Sequence, residues 1–164
     1  MARKVFYSFH YEKDITRAMI YFNQYICKGG TETYSGIIKG VEFEEIKREG
    51  QRAIERWIDN QLKGTSVTVV LIGEETLSRP YVQYEIRQSL NKGNAVIGVH
   101  IYNLKDFNGN TSRKGFEHTQ IGYDRNDNPA FFDKVAYKIY DKDYNVVFSN
   151  LAGWVEEAAK SAGY

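Results

Sequence analysis

Apolar and polar positions alternate along this chain in a rhythm of short buried runs and amphipathic stretches. Lys4-Val5-Phe6-Tyr7-Ser8-Phe9 is apolar and aromatic without clean alternation, the pattern of a strand covered on both faces. Ile15, Ala18, Met19, Phe22 and Ile26 then recur with a helical period, and Asp14 just before them suits an N-cap. Ala53, Ile54, Trp57, Ile58 and Leu62 predict a helix over 51–62, closed by Gly64. Ser66 to Ile72 reads as a central strand. Ser78 as N-cap, Pro80 in the first turn and the stripe Val82, Ile86 and Leu90 predict a helix that Gly93 ends. Ala95 to Ile101 is a further buried strand, and Val135 to Tyr140 a late one. Asn150 suits the cap of a last helix with Leu151, Trp154, Val155, Ala158 and Ala159 on its packing face.

Strand–helix–strand–helix–strand order predicts an α/β fold with a central, mostly parallel sheet flanked by helices in three layers. Two stretches interrupt it. Cys27 to Gly50 holds Gly29, Gly30, Gly36, Gly40 and Gly50, with room for a short strand at 36–39 and a charged, solvated run at 42–49. Tyr102 to Pro129 is polar and rich in Gly, Asn and Asp, and reads as a long loop. Nothing marks a domain boundary, so residues 1–164 are read as one domain.

Composition narrows the function. With 22 Lys plus Arg against 21 Asp plus Glu, the net charge of +1 gives no footprint for nucleic acid or an anionic membrane. Cys27 is the only cysteine, which excludes an internal disulfide and a Cys-based metal site. No apolar run reaches a membrane span, and Met1-Ala2-Arg3-Lys4 does not open a signal peptide, so a cytoplasmic protein is expected. Tyr and Phe are abundant, at 13 and 9, and supply amphipathic and stacking surfaces.

Missing motifs remove the commoner α/β chemistries. There is no G-x-x-x-x-G-K-[ST] phosphate loop, no G-x-G-x-x-G after the first strand and no G-x-S-x-G elbow. The first strand ends in Ser8-Phe9-His10 without the acidic pocket of a receiver domain. His10, His100 and His118 show no metal-ligand spacing, and His100, inside an apolar strand, reads as structural. Arg125 to Pro129 lacks the spacing and closing Glu of a calcium loop.

Glu85 is the carboxylate of interest. It lies about 100° round its helix from the apolar stripe, at the border of the buried face, with Tyr81 and Tyr84 as neighbours. On helical geometry alone it is a surface residue. The spacing of several segments adds to this. Val5-Phe6-Tyr7-Ser8-Phe9-His10 resembles the opening strand of Toll/interleukin-1 receptor (TIR) domains. Ser78-Arg79-Pro80-Tyr81-Val82-Gln83-Tyr84-Glu85-Ile86 resembles the S-x-x-[WY]-[VC]-x-x-E-[IL] signature of their third helix, and Ala95 to Val99 the strand that follows. The S-F-H-Y-E-x-D start, G-T-S-V-T-V-V-L-I-G and the Tyr137 to Asp141 segment are similar to the bacterial TIR-like branch found in Thoeris anti-phage defence.

The resemblance implies a flavodoxin-like fold and an enzyme that cleaves the nicotinamide–ribose bond of NAD+. NAD+ would be the substrate, with no separate cofactor and no metal. The product would be a cyclic ADP-ribose isomer that activates a partner effector protein, and TIR–TIR assembly or a homo-oligomer fits the family. Glu85 falls on the family's catalytic Glu. His10 falls where some enzymatic members carry a basic residue, and Tyr81 where many have Trp. A carboxylate suits the chemistry, because an oxocarbenium-like ribose is cationic and the pyridinium leaves as a neutral molecule needing no proton. Phe6, Ser8, Phe9, His10, Tyr34, Tyr81 and Tyr84 complete the candidate substrate-binding set, with Phe6 open to a plain core role, Ser8 to a turn role and Asp14 to a cap. Glu85 is expected to face a cleft shared with the Phe9–His10 loop. The alternative is a TIR-like protein–protein interaction module that needs no catalytic Glu.

Overall fold

The computed structural model describes residues 3–27, 34–35, 45–46 and 48–164. Five strands form one sheet in the order β2-β1-β3-β4-β7, every neighbouring pair parallel. They are β1 (Val5–Ser8), β2 (Tyr34–Ser35), β3 (Val67–Ile72), β4 (Ala95–His100) and β7 (Lys138–Tyr140). This is the flavodoxin-like order, which reverses direction of growth between β1 and β3. Helices cover both faces: α1 (Tyr11–Cys27) and α5 (Tyr144–Ser161) on one, α2 (Gln51–Leu62) and α3 (Pro80–Lys92) on the other.

The strand alternation decides which side chain meets which helix. Val5, Tyr7 and Phe9 join Val67, Val69, Leu71, Ile97 and Val99 in the core beneath α1 and α5. Phe6 packs on Ile54, Ile58 and Leu62 of α2, while Val70, Ile72 and Val96 pack on Val82 and Ile86 of α3. All six residues of β3 and all six of β4 are buried, as suits strands covered on both faces. Two polar residues in this interior are paired: Thr68 Oγ1 lies 2.6 Å from Ser89 Oγ on α3.

Several boundaries differ from the sequence reading. Helix α1 starts at Tyr11, so Asp14 is inside its first turn, its amide donating to the His10 carbonyl at 2.9 Å, and is not its cap. A single 3-10 turn over Thr76–Ser78 precedes α3, so Ser78 donates to the Glu75 carbonyl within that turn, and extended Arg79 is the N-cap residue. Pro80 opens the helix and left-handed Gly93 closes it, as expected. Helix α5 begins at Tyr144 after Asp143, since Val147 extends the buried stripe upstream. Asn150 lies inside it, donating to the Val146 carbonyl.

The stretch read as a loop over 102–129 contains β5 (Gln120–Tyr123), paired antiparallel with β6 (Pro129–Phe131). Their connection is tied by Asp124 Oδ1, which accepts the amides of Asn126 and Asn128. The run 135–140 divides into the end of a short helix, α4 (Phe132–Val135), and β7. The strand expected at 36–39 lies outside the described residues. Of the charged run at 42–49, Glu45 and Arg48 are exposed and helical, and Ile46 packs towards Phe6.

Candidate active site at the switch point

An open parallel sheet leaves a crevice at its carboxyl edge where the strand order reverses. Here that place lies between the ends of β1 and β3, followed by the segments Phe9–Asp14 and Gly73–Arg79. Contacts made by Ser8, His10 and Asp14 join the two sides.

The first is Ser8 with Glu85. Ser8, last residue of β1, points to the α3 side by the same alternation that buries Phe6. Its hydroxyl donates to Glu85 Oε2. Glu85 retains some exposed surface, as a border position should. Protein nevertheless encloses its carboxyl group, and that desolvation pushes its pKa up to about 8, against a smaller lowering by the Ser8 hydrogen bond. The Glu85 backbone is fixed as well. Ser89 Oγ donates to the Glu85 carbonyl at 2.7 Å while it pairs with Thr68 on β3. A small residue one turn beyond Glu85 thus clamps that turn of helix to the sheet.

The second contact is His10 with Arg79. His10 is buried, and its Nε2 accepts from Arg79 Nε at 2.8 Å, with Glu75 Oε2 3.9 Å away. Burial, then the Arg79 charge, lowers the His10 pKa, so the ring is neutral at pH 7 and Nε2 is free to accept. The third centres on Asp14, fully buried, which also pairs with Arg17 of its own helix. Arg17 Nη1 donates to its Oδ1 at 3.2 Å, and Thr76 Oγ1 to its Oδ2 at 3.3 Å. The Gly73 amide in turn donates to Thr76 Oγ1 at 2.8 Å. A Cβ on Gly73 would stand 2.1 Å from Asp14 Oδ2, so only glycine allows this approach. Arg17 continues outward to the carbonyls of Leu104 and Asn110, both at 2.8 Å.

The remaining candidates occupy distinct positions. Phe6 is fully buried against α2, beneath the site. Phe9 lies across the sheet from Glu85, in the α1–α5 core, its ring 6.2 Å from that of Tyr11. Tyr81 and Tyr84 pack towards Phe6 and α2, and the Tyr84 hydroxyl donates to both carboxylate oxygens of Asp59 at 3.1 Å. The side chain of Tyr34 lies outside the described residues, although its backbone sits in β2. His100 is buried at the end of β4 with Nε2 2.6 Å from Glu117 Oε1. Among the described residues no group of three His, Cys, Asp or Glu could hold a metal ion.

Arg79, Gly73, Thr76, Ser89 and Thr68 were not singled out from sequence. A signal existed for two of them: Thr68 interrupts an apolar strand, and Ser89 stands on the Val82–Ile86 face where an apolar residue is expected.

Residues 6–106 match the family described as "Thoeris protein ThsB, TIR-like domain". The chain belongs to this family. The match begins at Phe6 and takes in both sides of the switch point and all of α3, so Ser8, His10, Asp14 and Glu85 stand within the Thoeris TIR-like region. One relative, "Putative cyclic ADP-D-ribose synthase ThsB1" of Bacillus cereus (strain MSX-D12), is 40% identical over 116 residues. That alignment covers 70% of this chain and 60% of the relative, so the matched part spans under two thirds of the relative's length.

Proposed function

We propose that this chain is an NAD+-consuming TIR enzyme that breaks the nicotinamide–ribose bond and makes a cyclic ADP-ribose isomer. The observation that carries this reading is the enclosed carboxyl group of Glu85, held by the Ser8 hydroxyl at the crevice where an open parallel sheet takes its ligand. The family membership and the relative's name agree with it.

The chemistry follows from charge. As the C1′–N bond breaks, its electron pair leaves with nicotinamide, which departs neutral, and positive charge develops on the ribose. An ionised Glu85 beside C1′ stabilises that charge in a water-poor setting where it counts most. Either a nucleophile within the same ADP-ribose or a water then bonds to C1′ and gives up a proton to bulk water, giving the cyclic product or free ADP-ribose. No step calls for a separate cofactor. Ser8 orients the carboxylate, while His10 with Arg79, and Asp14 with Thr76, hold the β1–α1 and β3–α3 connections together as the walls of the site. Tyr81 and Tyr84 border α3 towards α2 and are candidates for stacking on a base. Phe6 supports the floor.

The product is a small anionic nucleotide suited to act at a distance on an effector protein in defence against phage. We further propose that the chain acts as a homo-oligomer or TIR–TIR assembly.

Purified protein incubated with NAD+ should release nicotinamide, and Glu85→Gln should lower that rate by about a hundredfold or more while its thermal unfolding remains cooperative. Full turnover by Glu85→Gln would remove Glu85 from the chemistry. Protection against phage by Glu85→Gln equal to that of the unaltered protein would favour an interaction module.

A further inference from the structure

The carboxyl group of Glu85 has one protein partner among the described residues, the neutral hydroxyl of Ser8. Basic groups on its own helix are engaged elsewhere. Arg79 donates to His10, and Arg87 Nη1 to the Ile121 carbonyl at 2.5 Å. From α2, Asp59 accepts from the Tyr84 hydroxyl, while Arg52 and Arg56 of that helix are exposed. The Tyr84 phenol is held neutral, its pKa raised to about 12 by burial and then by Asp59. Strands β3 and β4 carry no charged residue up to His100, and His100 faces Glu117. Tyr81 adds only a phenol. Among the described residues, then, no positive charge stands against the Glu85 carboxyl group, which is costly for the ionised form.

We infer that substrate binding is proton-coupled: Glu85 rests as a neutral carboxylic acid, and the cationic nicotinamide ring of NAD+ is the counter-charge whose arrival ionises it. The inference rests on the proposed NAD+ chemistry and deepens it. The balance is simple. The Glu85 O–H bond breaks, its electron pair stays on the carboxylate, the proton passes to bulk water, and nothing is oxidised or reduced. The carboxylate that later faces the oxocarbenium-like ribose is thus produced by the substrate's own charge. The reduced dinucleotide NADH, whose dihydronicotinamide ring is neutral, would leave Glu85 protonated. The raised pKa of Glu85 agrees with this resting state.

Carbocyclic NAD+, which keeps the pyridinium charge but whose C–N bond resists cleavage, is the probe. Titration calorimetry at pH 7 in two buffers of different ionisation enthalpy should show close to one proton released per molecule bound, about 0.9 for an acid with pKa about 8. Affinity should rise about tenfold from pH 6 to pH 7 and level off above about pH 9. Glu85→Gln and, separately, NADH on the unaltered protein should show neither effect. Ser8→Ala, which removes the one group lowering the Glu85 pKa, should move the plateau to higher pH. Binding of carbocyclic NAD+ without proton release, or equal release from Glu85→Gln, overturns the inference. If nicotinamide release from NAD+ still depends on Glu85 in that case, the enzymatic reading stands. A protein that neither binds the probe nor releases nicotinamide overturns both.

Discussion

At the scale of the residue, Glu85 trades stability for chemistry. Its pKa is about 8 in the folded chain against an ordinary value of 4.5. Between those values the folded state binds the extra proton, so stability falls as pH rises from about 4.5 to 8 and stays low above it. Glu85→Gln carries no charge at any pH. It should therefore melt on the order of 5 °C above the unaltered protein at pH 9, with the gap closing by pH 5, as followed by scanning calorimetry. A constant gap across that range would place the penalty elsewhere. Helical spacing alone put Glu85 at the border of the apolar stripe, and the structure keeps it there. That Ser8 would be its partner was one step further. It follows from counting two residues on from Phe6, once the face covered by α2 and α3 is known.

At the scale of the element, the site depends on two loops closing over one carboxylate. Asp14 reads as a helix cap in sequence because Asp before an apolar period usually is one. The helix instead starts at Tyr11, three residues before Asp14, and the side chain turns inward to Arg17 and Thr76. No local pattern encodes that choice, since Thr76 is 62 residues away. Gly73 is the test of this arrangement. Gly73→Ala would drive a methyl group into the Asp14 carboxylate, and a displaced Asp14 leaves Arg17 buried without its closest charge. We expect a loss of about 3 kcal/mol in chemical denaturation together with reduced nicotinamide release. Asp14→Asn, which keeps the shape and one acceptor, should cost less than Gly73→Ala. The reverse order would mean that the carboxylate charge, not the close approach, holds the loops.

At the scale of the whole molecule, the sheet is locked between two separate cores, one under α1 and α5 and the other under α2 and α3. Phe132 belongs to the second. It is fully buried, and its ring stands 3.0 Å from where a Cβ on Gly98 would be, so the glycine in β4 makes room for it. The hairpin of β5 and β6 thereby leans on α3, with Arg87 reaching the Ile121 carbonyl and Gln83 the Gln120 carbonyl. Phe132→Ala should destabilise the chain by about 3–5 kcal/mol in urea unfolding. It should lower nicotinamide release as well, since α3 carries Glu85. Unchanged stability would show that the hairpin is an appendage. No helix among the described residues is long and apolar enough to cross a membrane.

The sequence by itself determined the layers. Buried runs at 66–72 and 95–101 can only be interior parallel strands, because polar alternation is absent, and the stripes of α2 and α3 name the faces that cover them. It also determined which carboxylate to watch, through the run Tyr81 to Ile86. Only the tertiary structure decided what surrounds that carboxylate. Ser8 reaches Glu85 across 77 residues, Arg79 reaches His10 across 69, and Ser89 binds Thr68 across 21. The short β5–β6 hairpin also escaped the sequence, since three- and four-residue strands with Ile121 as their one fully buried residue carry no period to read. Hydrophobic periodicity is local and survives in one dimension. The pairing of polar groups is set by where the sheet brings loop ends together, and that is a property of the folded chain.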